Sequence, residues 1–233
     1  MFSGLFAGCS GVLGIEDFHT AMIRGTLRDI GPDAPVAANV VIAWYRGPDA
    51  THGDATRLGE TTTAHDGDFE LSVTAEPPLE SYLEIVDPRY VHTFSRVIQP
   101  VLVHADTYVD ILTATADGLQ ALAGHAGETQ GAQRWLVIAQ VVDADGGTRP
   151  GVTVDAEVAD PRGPVAQICY SDETNDLPCR AGGTGSDGRA WLFDVPATSS
   201  LSITAIDRDG SHATSFPITA GPGVVFTPVP PSS

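Results

Sequence analysis

No lysine occurs anywhere in these 233 residues; all 12 basic side chains are arginine. A chain without lysine cannot form a Schiff base with a carbonyl substrate and cannot build the lysine-bearing loop that cradles nucleotide phosphates. It also cannot close a Lys-Asn or Lys-Asp isopeptide bond. Positive charge is scarce in general: 30 acidic residues against 12 basic ones leave a formal net charge of −18. Such a field repels nucleic acid and bare anionic lipid, so neither is an expected direct partner, and solubility is the plain use of the charge. Cysteine is limited to three residues, and parity sorts them: setting one aside leaves a pair.

The 25 glycines and 17 prolines punctuate short apolar runs, the pattern of an all-β chain rich in turns. Length and a 42% hydrophobic content allow each half to bury a core of its own. The organising phrase is T-G-S-D-G-R-A-W-L-F-D-V-P, from Thr184 to Pro196, and it has an earlier copy in T-A-H-D-G-D-F-E-L-S-V, from Thr63 to Val73. Asp-Gly between two strand-like runs predicts a hairpin, because glycine tolerates the positive φ of a tight primed turn. The module therefore occurs twice. Alternation predicts strands from Met22, over Val40–Tyr45, Leu58–Thr63, Phe69–Val73, Ser81–Asp87, within Tyr90–Val103 and over Thr107–Leu112. The second set covers Trp135–Asp143, Val152–Val158, Ala166–Tyr170, Leu201–Ile206, Ala213–Thr219 and Val224–Phe226. Between the sets, Leu119 and Leu122 in an alanine-rich stretch predict a short helix from Ala116 to about His125.

The first residues, M-F-S-G-L-F-A-G-C-S-G, place Leu5, Phe6, Ala7 and Gly8 before Cys9, which resembles the lipobox of a bacterial lipoprotein, with Phe6 where leucine is usual. The resemblance implies signal-peptide cleavage, lipidation of Cys9 and anchoring in the cell envelope; Ser10 suits sorting to the outer membrane. The eight residues before Cys9 are too few for a full signal peptide, so the expectation is that the natural start lies upstream. The bland alternative is a frayed apolar terminus with an incidental cysteine.

Val142, Asp143, Asp145, Gly146, Pro150, Gly151, Val152 and Val154 in the second copy, and Gly25, Pro35, Val40, Ile42, Thr63, Asp66, Gly67, Phe69 and Leu71 in the first, resemble the carboxypeptidase regulatory-like family of transthyretin-like β-sandwiches. The resemblance implies two tandem Ig- or transthyretin-like sandwiches and supplies no catalytic residues. The expected organisation is a lipobox remnant and tether over 1–20, a first sandwich over 21–112, a helical connector over 113–132, a second sandwich over 133–228 and a disordered tail over 229–233.

Among candidate sites, Cys169 and Cys179 enclose Y-S-D-E-T-N-D-L-P, and in an exported protein a disulfide is the preferred reading. The enclosed loop, with Asp172, Glu173 and Asp176, is either a stapled insertion or a recognition surface. Trp191 and Phe193 fall on the face opposite Ala190 and Leu192 in a regular strand. They either present an aromatic surface, as sugar-binding modules do, or pack against the connector helix or the first domain; packing is preferred. Tyr90, His92, His104 and Tyr108 are reminiscent of a two-Tyr, two-His iron site, yet no two histidines have H-x-H or H-x-x-x-H spacing. Asp143, Asp145, Asp172, Asp176 and Asp187 are oxygen donors of the kind calcium takes, but no D-x-D-x-D-G loop is present and turn aspartates commonly bond their own backbone. No metal or cofactor is expected. The function expected is a non-catalytic, lipid-anchored envelope protein that binds an envelope protein or glycan. A carbohydrate-binding module is the alternative, and a hydrolase comes third because no G-x-S-x-G elbow occurs.

Overall fold

The computed structural model describes residues 19–30, 36–47, 56–75, 81–97, 107–143, 147–158, 168–171, 178–180, 182–196, 200–210, 212–214 and 223–229. The first half contributes β1 (His19–Asp29), β2 (Val41–Arg46), β3 (Thr56–Thr62), β4 (Asp68–Ala75), β5 (Ser81–Ile85), β6 (Thr93–Val97) and β7 (Thr107–Thr113). Helix α1 (Ala116–His125) follows, its start set by Thr115, whose hydroxyl oxygen accepts the Gly118 N–H at 3.0 Å. The second half adds β8 (Arg134–Val141), β9 (Thr153–Val158), β10 (Ile168–Ser171), β11 (Pro178–Arg180), β12 (Arg189–Pro196), β13 (Leu201–Ile206), β14 (His212–Thr214) and β15 (Gly223–Val229). The segments 1–18, 172–177 and 230–233, which hold Cys9, the acidic loop residues and most of the tail, lie outside the described residues.

The repeat read from the sequence is a repeat of pairing. In the first half β1 lies between antiparallel β4 and parallel β7; in the second, β8 lies between antiparallel β12 and parallel β15. Likewise β5 joins β2 to β6, as β13 joins β9 to β14. One strand breaks the correspondence: β3 pairs with β2, whereas β10 pairs with β12 in the opposite layer.

The Asp-Gly turn makes something other than a hairpin. Strand β3 belongs to the sheet of β2, while β4 belongs to the sheet of β1, so the turn crosses between two layers. Hydrogen bonds explain why. At its threonine end the Val40 N–H donates to Thr63 Oγ1 at 2.9 Å, and the Thr63 hydroxyl donates to the Ala37 carbonyl at 2.6 Å. At its glycine end the Leu27 N–H of β1 donates to the Gly67 carbonyl at 2.9 Å. The second copy repeats every contact: Val152 N–H to Thr184 Oγ1 at 3.0 Å, the Thr184 hydroxyl to the Arg149 carbonyl at 2.7 Å, and Val141 N–H to the Gly188 carbonyl at 2.8 Å. Gly67 and Gly188 have φ of +84° and +69°, and a Cβ at either would stand 2.6 Å from the Leu27 or Val141 carbonyl oxygen. Only glycine meets both constraints. A second tie braces each half: Arg149 Nη2 meets Asp207 Oδ2 at 2.7 Å, while in the first half Arg89 grips Asp87 and donates to the Ala38 and Asn39 carbonyls. Arg89 holds the Asp87 carboxyl below its ordinary range, chiefly by hydrogen bonding. That contribution is present above the ordinary aspartate range and lost as pH falls through the lowered value.

The two halves are joined through one sheet. Strand β15 pairs in parallel with β8 on one side and with β6 of the first half on the other, which joins nine strands in the order β11-β10-β12-β8-β15-β6-β5-β2-β3. Directly paired residues share a face, so the faces can be followed across the joint. One row runs Trp44, Leu83, Ser95 and, beyond β15, Ile138, Trp191, Cys169; the neighbouring row, on the other face, runs Ala43, Glu84, Phe94, Val225, Val137, Leu192, Ile168. Sheet β4-β1-β7 covers the first face over Trp44 and Leu83, and α1 covers it over Ile138 and Trp191. Sheet β14-β13-β9 covers the opposite face, packing Val154 and Ile203 against Val137 and Leu192. The two small sheets thus lie on opposite sides of one shared sheet.

Replacing Thr184 by valine keeps shape but orphans the Val152 N–H and the Arg149 carbonyl, an expected loss of about 1–3 kcal/mol in denaturant unfolding. Thr63→Val is expected to match it, and serine at either site to retain most of the stability. A loss below about 0.5 kcal/mol at both positions, the ordinary range for surface changes, would contradict the layer-bridging role.

Candidate functional site

The outer face of sheet β4-β1-β7 carries polar residues in cross-strand rows, because alternation turns Ile23, Leu71 and Ile111 inward and leaves their neighbours outward. One row is Glu70, Arg24, Tyr108, and the next is Asp68, Thr26, Asp110. Arg24 Nε meets Glu70 Oε2 at 2.8 Å, the Tyr108 hydroxyl lies 3.0 Å from Thr26 Oγ1, and Thr26 donates to Asp110 Oδ1 at 2.9 Å. A cavity of about 470 Å³ opens on this face, lined among others by Arg24, Thr61, Thr62, Asp68, Glu70 and Tyr108. Tyr108 is 66% exposed, the most exposed large hydrophobic residue among those described. The hydroxyls, carboxylates and guanidinium here can hydrogen-bond a polar ligand.

Asp110 also reaches the second half. Arg189 of β12, its side chain 8% exposed, donates from Nη2 to Asp110 Oδ2 at 3.1 Å and lies 3.7 Å from Asp187 Oδ2. A buried guanidinium is tolerated only with such partners, so this contact fixes the first-half sheet against β12.

The residues singled out in the sequence fall as follows. Trp191 and Phe193 are fully buried in a cluster with Leu119, Leu122 and Ala123 of α1, and the Trp191 indole donates to Ser171 Oγ at 2.8 Å. The aromatic-surface alternative is therefore corrected, because α1 covers both rings, and the preferred reading of packing against the connector helix is what the structure shows; truncating such core aromatics typically costs about 3–5 kcal/mol. Trp44 and Trp135 are buried too. Cys169 is buried on β10, while the side chain of Cys179 on β11 lies outside the described residues. Asp172, Glu173, Asp176 and Cys9 lie outside them as well.

The iron-like set is not assembled. His92 Nε2 lies against Glu84 Oε1 at 2.5 Å, Tyr90 packs on the first-half core, and Tyr108 bonds Thr26 on the outer face; His104 is not among the described residues. Asp143 Oδ1 accepts the Gly147 N–H at 2.7 Å, and Asp187 Oδ1 accepts that of Arg189 at 3.1 Å, the self-bonding expected of turn aspartates. Among the described residues no group of three or more His, Cys, Asp and Glu is placed to hold a metal ion. Sequence reading singled out Tyr108 only as an iron ligand; its signal as a surface residue was the alternation Tyr108, Asp110 against Val109, Ile111.

No known family profile matches the chain, and no curated protein matches it. Solved structures show weak likeness. The shaft pilin SpaA from Lactobacillus rhamnosus GG matches at 11% identity and a TM-score of 0.28, over 93% of this chain and 98% of that one. The minor pilin GBS52 of Streptococcus agalactiae matches at 10% identity and 0.25, over 91% and 97%. A 9R-lipoxygenase from Cyanothece matches at 14% and 0.27, over 40% of this chain and 16% of that one. TM-scores this low establish no common fold, and the roles of these proteins carry no argument about this chain.

Proposed function

We propose that this chain is a non-catalytic binding and structural module of a bacterial cell envelope, tethered to the outer membrane through lipid on Cys9. The observation that carries the reading is how the repeated motif is spent. Thr63, Asp66 and Gly67, and again Thr184, Asp187 and Gly188, all bond the protein's own backbone. They build a scaffold, and the part left for recognition is the acidic, polar surface. The anchor rests on the small residues before Cys9 and the unpatterned tether after it. Fractionation of cells expressing the full-length precursor is expected to find the native protein with membranes and Cys9→Ala in the soluble phase; unchanged membrane retention overturns the anchor.

The partner proposed for Cys169 is Cys179. The strand of Cys169, β10, is hydrogen-bonded to β11, which carries Cys179, and lipidation would remove Cys9 from contention. Closing a loop of this size contributes about 3 kcal/mol. Thiol labelling of the unreduced, denatured protein should modify neither cysteine, and Cys169→Ser with Cys179→Ser should lower Tm without releasing the protein from membranes. Two reactive thiols at these positions would refute the pairing.

A further inference from the structure

We propose that the outer face of sheet β4-β1-β7 around Tyr108 is a subsite for a neutral saccharide. This rests on the reading of the chain as a binding module and names the ligand class of its surface. Three observations converge. An aromatic ring stands 66% exposed on the strand whose Val109 and Ile111 turn into the core. Its hydroxyl lies 3.0 Å from Thr26 Oγ1, so the far end of the ring is held at the sheet surface. Beside it lies a cavity of about 470 Å³, within the roughly 300–1,000 Å³ of small-molecule sites.

The chemistry of the lining selects among ligands. Arg24 faces Asp68 and Glu70, and its Nε is already engaged by Glu70 at 2.8 Å. An anion would therefore meet two carboxylates and a neutralised guanidinium, inside the wider field of a chain carrying −18. A cation would have to displace Arg24 from Glu70. A purely apolar ligand would strip water from these charges and from the Thr61 and Thr62 hydroxyls without replacing its hydrogen bonds. A neutral sugar has the complementary character: its hydroxyls both donate and accept, matching carboxylate, guanidinium and hydroxyl partners, and its C–H face packs on an aromatic ring. The wall combines the paired strands β4, β1 and β7 with Thr61 and Thr62 at the end of β3, so the groups are positioned before any ligand arrives.

The test is titration of the intact protein with cello-, malto-, xylo- and N-acetylchito-oligosaccharides at up to millimolar concentration, followed by amide chemical shifts and calorimetry. Saturable binding of at least one, with shifts centred on Arg24, Glu70 and Tyr108, is expected. Tyr108→Ala should weaken it at least about tenfold, or about 1.4 kcal/mol, while Tyr108→Phe stays near the native affinity. Unchanged melting temperatures for both variants confirm that the loss is local. No binding by any of the four series, or equal binding by Tyr108→Ala, overturns the proposal. Membrane retention of the same variants is read separately, so failure of the sugar subsite and failure of the envelope anchor are distinguishable.

Discussion

One threonine hydroxyl and one glycine carbonyl, four residues apart, hold two β-layers together, and the chain uses the device twice. Thr63 captures the lead into β2 by accepting from one backbone group and donating to another, while Gly67 hands its carbonyl to β1. Thr184 and Gly188 do the same for β9 and β8. Each hydroxyl is buried and bonded in both its roles, which is why the position tolerates no apolar isostere without orphaning two groups. Registry between the layers follows, and with it which side chains turn inward to the core and which, like Tyr108, are left outside.

The second constraint is the parallel strand β15, which turns two repeats into one continuous sheet. The joint to β6 spans only three residue pairs, Val224 to Thr93, Val225 to Phe94 and Phe226 to Ser95. It is reinforced from both sides. On one face Phe94 and Tyr82 of the first half pack with Val137 and Leu192 of the second; on the other Ile30, Leu112 and Ala114 meet α1, Ile138 and Trp191. Arg189 and Asp110 add a part-buried ion pair between the halves. Because each half supplies partners the other cannot replace, the organisation suits a rigid scaffold presenting fixed surfaces.

Local features were legible in the sequence, and long-range ones were not. Helix α1 was readable because its signals are its own: alanine-rich stretch, two leucines three apart, and a threonine just before it. The Asp-Gly turns were readable because positive φ selects glycine at the turn itself. Their hairpin reading failed because the partners of Thr63 and Gly67 lie far away in sequence, on different sheets. The packing of Trp191 and Phe193 was the preferred reading, and Ala190, Trp191, Leu192 and Phe193 form an unbroken apolar run, which is the mark of a strand covered on both faces. The switch of β10 to the layer opposite that of β3, and the pairing of β15 with β6, left no local trace at all.

The shared sheet makes the two halves a single cooperative unit. Native-state hydrogen exchange across a urea series tests it most directly, because it reports each strand's opening free energy separately. The slowest amides of β2 and β5 in the first half and of β9 and β13 in the second are expected to converge on one global unfolding free energy, with matching denaturant dependence. Two distinct plateaus, with one half opening while the other stays protected, would contradict it.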